Sequence, residues 1–133
     1  MSKASDYVEN QILDCYLNQT NITAPTNIYL GLFTSEPSDA GGGTEVSGNG
    51  YSRVEITAKF SAASGTGGSL SSNADITGFT ADGGDWGTVN SIGIFDASTS
   101  GNLLFYTALD SSATVNNGDS FQISSGNLTV TVA

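Results

Sequence analysis

The chain has 133 residues, a net charge of −10, no histidine and three basic residues, Lys3, Arg53 and Lys59. Its length suits one domain with one core, and so few cations exclude phosphate-backbone binding, so neither nucleic acid nor an anionic membrane is an expected partner. Only 12% of residues are charged while glycine reaches 17, a mixture that favours short strands and many turns.

The opening "MSKASDYVENQ" is polar and acidic and does not read as a signal peptide, which makes synthesis in a cytosol the expectation. Ala4, Val8, Ile12 and Cys15 or Tyr16 recur at helical spacing, with Leu13 and Leu17 widening the stripe. Ser2 or Ser5 is placed to cap this helix, and Asp6 and Glu9 suit its positive end. "NQTNITAPT" ends it, so residues 1–18 form an N-terminal helix and residues 26–133 a second unit. The helix either covers an open end of that unit or docks on a partner. Cys15 cannot form an internal disulfide, being the single cysteine, and with no histidine to activate it reads as a small packed thiol.

"NIYLGLFTS" is a strand apolar on both faces, expected inside a sheet. "EPSDAGGGTEVSGNG" follows as a long loop. "YSRVEITAKF" alternates cleanly, with Val54, Ile56 and Ala58 on one face and Arg53, Glu55 and Thr57 on a wet one. Residues 61–82 are weakly patterned, with a short edge strand near 74–79. "TVNSIGIFDA" and "LLFYTALD" form a strand pair across the hairpin loop "STSGN". Asn117-Gly118 suits a type I′ turn. In "DSFQISSGNLTVTV", Phe121 and Ile123 lie in one phase and Leu128, Val130 and Val132 in the other, so residues 124–127 must hold a bulge or turn. The predicted fold is all-β: an antiparallel β-sandwich or jelly-roll-like domain with one N-terminal α-helix.

Residues 41–54, "GGGTEVSGNGYSRV", first suggest a phosphate cradle. A P-loop needs a lysine after its last glycine and a helix beyond; here Tyr51 follows Gly50 and a strand is expected. Asp82 and Asp85 in "DGGDWG" lack the later glutamate of a calcium loop and read as turn residues. No G-x-S-x-G elbow is present, and a serine nucleophile would lack a histidine base. The expectation is therefore no catalytic residue, no metal and no cofactor. Trp86, the single tryptophan, reads as a core anchor, with a sugar-stacking platform as the other use of its ring.

The segments "SKASDYVENQILD", "APTNIYLGLFTSEP", "GGGTEVSGNGYSR" and "DWGTVNSIGIFDASTSGNLLFYTALDSSATVNNGDSFQISSGNLTVTV" resemble, in this order, a family of small tailed-bacteriophage virion proteins often labelled tail fibre proteins. The most specific runs are GTEVSG-x-GY-x-R and WGT-x-x-x-x-GIFDA…GNLL-x-Y; residues 61–82 match loosely, as an insertable loop would. The resemblance implies a non-enzymatic structural protein of a virion, assembled in the host bacterial cytoplasm. The leading expectation is a capsid decoration (cement) protein on the head exterior, a homotrimer contacting the major capsid protein. The alternatives are a tail or tail-fibre component that contacts tail proteins and aids host attachment, and a carbohydrate-binding or carbohydrate-active protein. Tyr51 and Arg53, beyond the glycine-rich loop, and Val8, Ile12 and Tyr16 on the helix are the expected interface residues, with Arg53 forking onto a neighbour's carboxylate.

Overall fold

A computed structural model describes residues 2–63 and 68–132. The described residues form strands β1 (Lys3–Ala4), β2 (Tyr29–Ser35), β3 (Thr44–Glu45), β4 (Val54–Glu55), β5 (Ser69–Ser71), β6 (Ile76–Thr80), β7 (Gly87–Phe95), β8 (Leu103–Val115), β9 (Ser120–Ile123) and β10 (Thr129–Thr131) and one helix, α1 (Asp6–Leu17), which follows β1. All strand pairs are antiparallel. The main sheet runs β1-β8-β7-β2-β3, with β4 also on β2; β6–β9 and β5–β10 are separate two-stranded sheets. The small sheets pack over one face of the main sheet, which makes an all-β sandwich.

The centre of the main sheet follows from residue type. In register, Leu30 lies beside Ile94, Ile94 beside Phe105, and Leu32 beside Ile92. These side chains meet Ile76, Phe79, Phe121 and Leu128 of the second layer in the main core. The opposite face carries a smaller cluster of Phe33, Phe95, Leu103 and Tyr106. Both faces of β2 are thus buried, as the double-sided apolar pattern requires. Gly31 and Gly93 are paired on this second face. A Cβ on Gly93 would lie 3.1 Å from the Phe33 ring and 3.2 Å from the Phe95 ring. Those rings stack with centroids 6.0 Å apart, an arrangement that the missing side chain permits.

Several expectations are corrected. Ala4 is not helical: Lys3–Ala4 pairs with β8, and the helix starts after Ser5, its N-cap. "YSRVEITAKF" contributes only Val54–Glu55 as strand, because β2 is seven residues long and shares one edge between β3 and β4. Ile56 is buried, but a turn closes at once through Lys59 N donating to Ile56 O, and Ala58 is exposed. The short edge strand expected near 74–79 is present as β6, but it is no part of an insertable loop, since Ile76 and Phe79 are fully buried in the core; positions 64–67 lie outside the described residues. Asn117-Gly118 is not a type I′ turn. Only Gly118 takes a positive φ, the pattern of a type II turn, closed by Asp119 N donating to Asn116 O. The strands it joins belong to different sheets, so no hairpin twist has to be matched. The break at 124–127 is a turn, with Asn127 N donating to Ser124 O, and it carries the chain from β9 to β10 in another sheet.

Candidate functional site

The glycine-rich segment folds back along the edge of β2 as a strap. Gly41, Gly42, Gly43, Gly48 and Gly50 all take positive φ, a conformation that costs glycine little. At Gly43 a Cβ would also meet the backbone of Ser35 and Pro37 at under 3.0 Å. Three amides of the segment are already in use: Gly41 N bonds Ser38 O, Val46 N bonds Leu32 O, and Tyr51 N bonds Gly48 O. The segment is a structural crossover rather than a phosphate cradle.

The strap is pinned by a polar cluster built from its own residues. Arg53 forks onto Glu45, with Nε to Oε2 at 2.9 Å and Nη2 to Oε1 at 2.8 Å. Its Nη1 donates to the carbonyls of Ala97 and Ser100 at 2.9 and 2.7 Å, which ties the β7–β8 hairpin into the same cluster. The guanidinium lies 3.5 Å from the centroid of the Phe95 ring. Tyr51 donates its hydroxyl to Glu45 Oε2 at 2.6 Å and accepts from Leu32 N. Burial, reinforced by the bond to Glu45, pushes the Tyr51 phenol well above its ordinary range. A charged donor with this many partners at 8% side-chain exposure is a fixed structural element.

Asn49 and Trp86 close the other end of the strap. Trp86 Nε1 donates to Asn49 O, and Asn49 Nδ2 donates to Asp85 O. The indole is buried and meets Tyr51 edge-on at 5.4 Å, as expected of a core anchor. Asp85 accepts from Asn117 N, a turn-holding role.

The helix is fastened at its N-terminus. Ser5 is buried; its hydroxyl donates to Leu103 O and accepts from Val8 N, and its amide donates to Leu104 O. Asp6 N donates to Asp39 O, and the Tyr106 hydroxyl donates to Asp39 Oδ1. Burial first, then Asp39, pushes the Tyr106 phenol up to about 12. Beyond that anchor α1 has no buried residue. Val8 and Ile12 are half-buried against the domain, whereas Leu13, Tyr16 and Leu17 are 54%, 77% and 75% exposed.

The expected interface residues therefore separate into two places. Tyr51 and Arg53 come together, but with a carboxylate of their own chain. Val8 faces the core, Ile12 is half-buried beside a surface groove, and Tyr16 faces out. Sequence reasoning missed Glu45, Asn49 and Asp39. For Glu45 a signal existed: a lone arginine in a chain of charge −10 needs a carboxylate, and Glu45 stands eight positions away in a turn-rich strap.

Among the described residues no group of acidic, histidine or cysteine side chains could hold a metal ion, and no helix is long and apolar enough to cross a membrane. Residues 3–131 match the family described as podophage GP4 fiber I protein gp80. The chain belongs to this family. It is a small structural protein of a tailed-phage virion, as the resemblance implied. No curated protein matches it. The geometry now accounts for the runs that carried the resemblance. Glu45, Tyr51 and Arg53 of the first form the polar cluster. Trp86, Gly93, Phe95, Ala97 and Tyr106 of the second supply the core anchor, the ring stack and the partners just described.

Proposed function

We propose that this chain is a non-enzymatic building block of the fibre apparatus of a tailed phage, attached to the particle through other tail proteins. The observation that carries this reading is the match to a fibre protein over residues 3–131, which spans the whole sandwich and its helix. The geometry supports it. The polar cluster Glu45–Tyr51–Arg53 finds its partners within the chain, which suits a scaffold better than a reacting centre. A compact domain of this length has a radius of gyration of roughly 14 Å, so a fibre must repeat it or combine it with other chains. Capsid decoration, the leading expectation under the family resemblance, is the competing placement.

Copy number separates the two. Gel densitometry of purified virions should give a number set by the tail; a number set by the capsid lattice would replace the fibre reading with decoration. Imaging of labelled particles gives the location directly. Sedimentation of the purified chain tests self-association, for which the trimer is the expected stoichiometry. Turnover of any host glycan by the purified protein would end the non-enzymatic reading.

A further inference from the structure

Helix α1 presents an apolar face that its own domain does not cover. Leu13, Tyr16 and Leu17 stand at i, i+3 and i+4, so they share one side of the helix, and each is more than half exposed. A free helix of 12 residues is marginal in water and normally gains its stability by burying such a face. Alongside it runs a groove of about 570 Å³ lined by Lys3, Glu9, Ile12, Leu13, Asp39 and Val132, and Val132 is itself 45% exposed.

The surrounding charge identifies what fits there. The helix carries Asp6, Glu9 and Asp14 and no basic residue. Its exposed apolar residues lie in the second half, where the helix dipole is negative and no cation offsets it. The groove adds one carboxylate, Asp39, and one ammonium, Lys3, so helix and groove together set four carboxylates against one cation. A second copy of this chain offers little to answer this. Its Arg53 is held by Glu45 and two carbonyls of its own chain, and its Lys3 sits 4.0 Å from Glu36 and over the Tyr106 ring. That leaves Lys59 and the 58%-exposed Lys3 among the described residues, against thirteen acidic residues. Two such faces brought together would oppose like charges, which disfavours a homotypic contact.

We propose that α1 is a docking helix whose Leu13–Tyr16–Leu17 face receives an amphipathic, lysine- or arginine-bearing segment of a different protein. The inference rests on the virion reading only for the partner's being a particle protein. Binding requires apolar contact from the three side chains and a cation near the helix C-terminus.

The test uses the full chain and a fluorescein-labelled amphipathic helical peptide of leucine and lysine, followed by fluorescence anisotropy. The triple variant Leu13→Ser, Tyr16→Ser, Leu17→Ser keeps the net charge and removes only exposed groups; its circular dichroism and thermal midpoint serve as the fold control. The wild-type chain should bind the peptide at least about tenfold more tightly than the triple variant, and less tightly as salt rises. A twin peptide with glutamate in place of lysine should not bind. Glu9→Gln with Asp14→Asn should keep the apolar contact and lose much of the salt dependence. Equal binding by the triple variant would reduce the effect to diffuse charge attraction and overturn the proposal. So would binding of the glutamate twin, or self-association that the triple variant abolishes. Peptide binding by a chain that is absent from virions would sink the fibre reading and leave the docking helix standing.

Discussion

Arg53 shows how one side chain determines the path of a long segment. Its guanidinium joins Glu45 of β3 to the Ala97 and Ser100 carbonyls of the β7–β8 hairpin and rests on Phe95. Removing one partner of such a pair leaves a desolvated charge behind, at a cost of about 3–5 kcal/mol. Arg53→Ala should therefore lower the urea midpoint steeply, and Arg53→Lys should rescue only part, because an ammonium cannot fork. Gly93 makes a sharper residue-scale case. A methyl there meets Leu103 Cδ1 at 2.9 Å and two stacked rings just beyond. Leu103 can turn aside but the rings cannot both do so, and Gly93→Ala should cost about 1–3 kcal/mol in thermal unfolding. The phenols give a pH signature. Tyr51 and Tyr106 hold their protons above the ordinary value of 10.0, so in that range the fold binds more protons than the unfolded chain and stability falls as pH rises. The Tyr106 contribution is whole below about pH 10 and lost by about 12. The thermal midpoint should drop across that window together with rising tyrosinate absorbance, and Tyr106→Phe should remove part of the drop.

At the scale of elements, strands and helix differ in how they are held. β7 lies between β2 and β8, with Val89, Ile92 and Ile94 in the main core. α1 hangs from Ser5, and no residue of it is fully buried; Val8 only half-buries against the core. Amide exchange in β7 should require global opening, while α1 amides should exchange at least about a hundredfold faster through local opening. Ser5→Ala removes both the cap and a buried bond to Leu103 O, and should cost about 1–2 kcal/mol. The same contrast explains what sequence could reveal. β2, β7 and β8 were legible because residues such as Leu32, Phe33, Ile94 and Phe95 are apolar in both phases, which only an interior strand tolerates. The short β3 was hidden in a glycine run, since Thr44 and Glu45 owe their strand geometry to the edge of β2 rather than to their own propensity. The alternation of residues 51–60 misled for the complementary reason: a pattern can be correct for burial of Ile56 and still exceed the edge available to pair it. The Glu45–Arg53 pair belongs to the tertiary path, and only the isolation of Arg53 in an acidic chain hinted at it.

For the whole molecule, charge determines how contacts respond to salt. Thirteen acidic residues against three basic ones leave −10 on a small surface, so any two copies repel at long range. Assembly of a fibre from repeated copies must overcome that repulsion, whereas docking of α1 on a basic partner is helped by the same field. The two kinds of contact should therefore respond to salt in opposite directions. Between about 20 mM and about 300 mM salt the Debye length shrinks from roughly 20 Å to under 10 Å. Over that range self-association of the purified chain, followed by sedimentation, should strengthen, while binding of the leucine–lysine peptide should weaken. Both strengthening with salt would mean that the α1 contact is purely apolar and that its acidic rim has no part in choosing a partner. Both weakening would mean that copies meet through complementary charges, and Lys3 and Lys59 would then be the residues to substitute first.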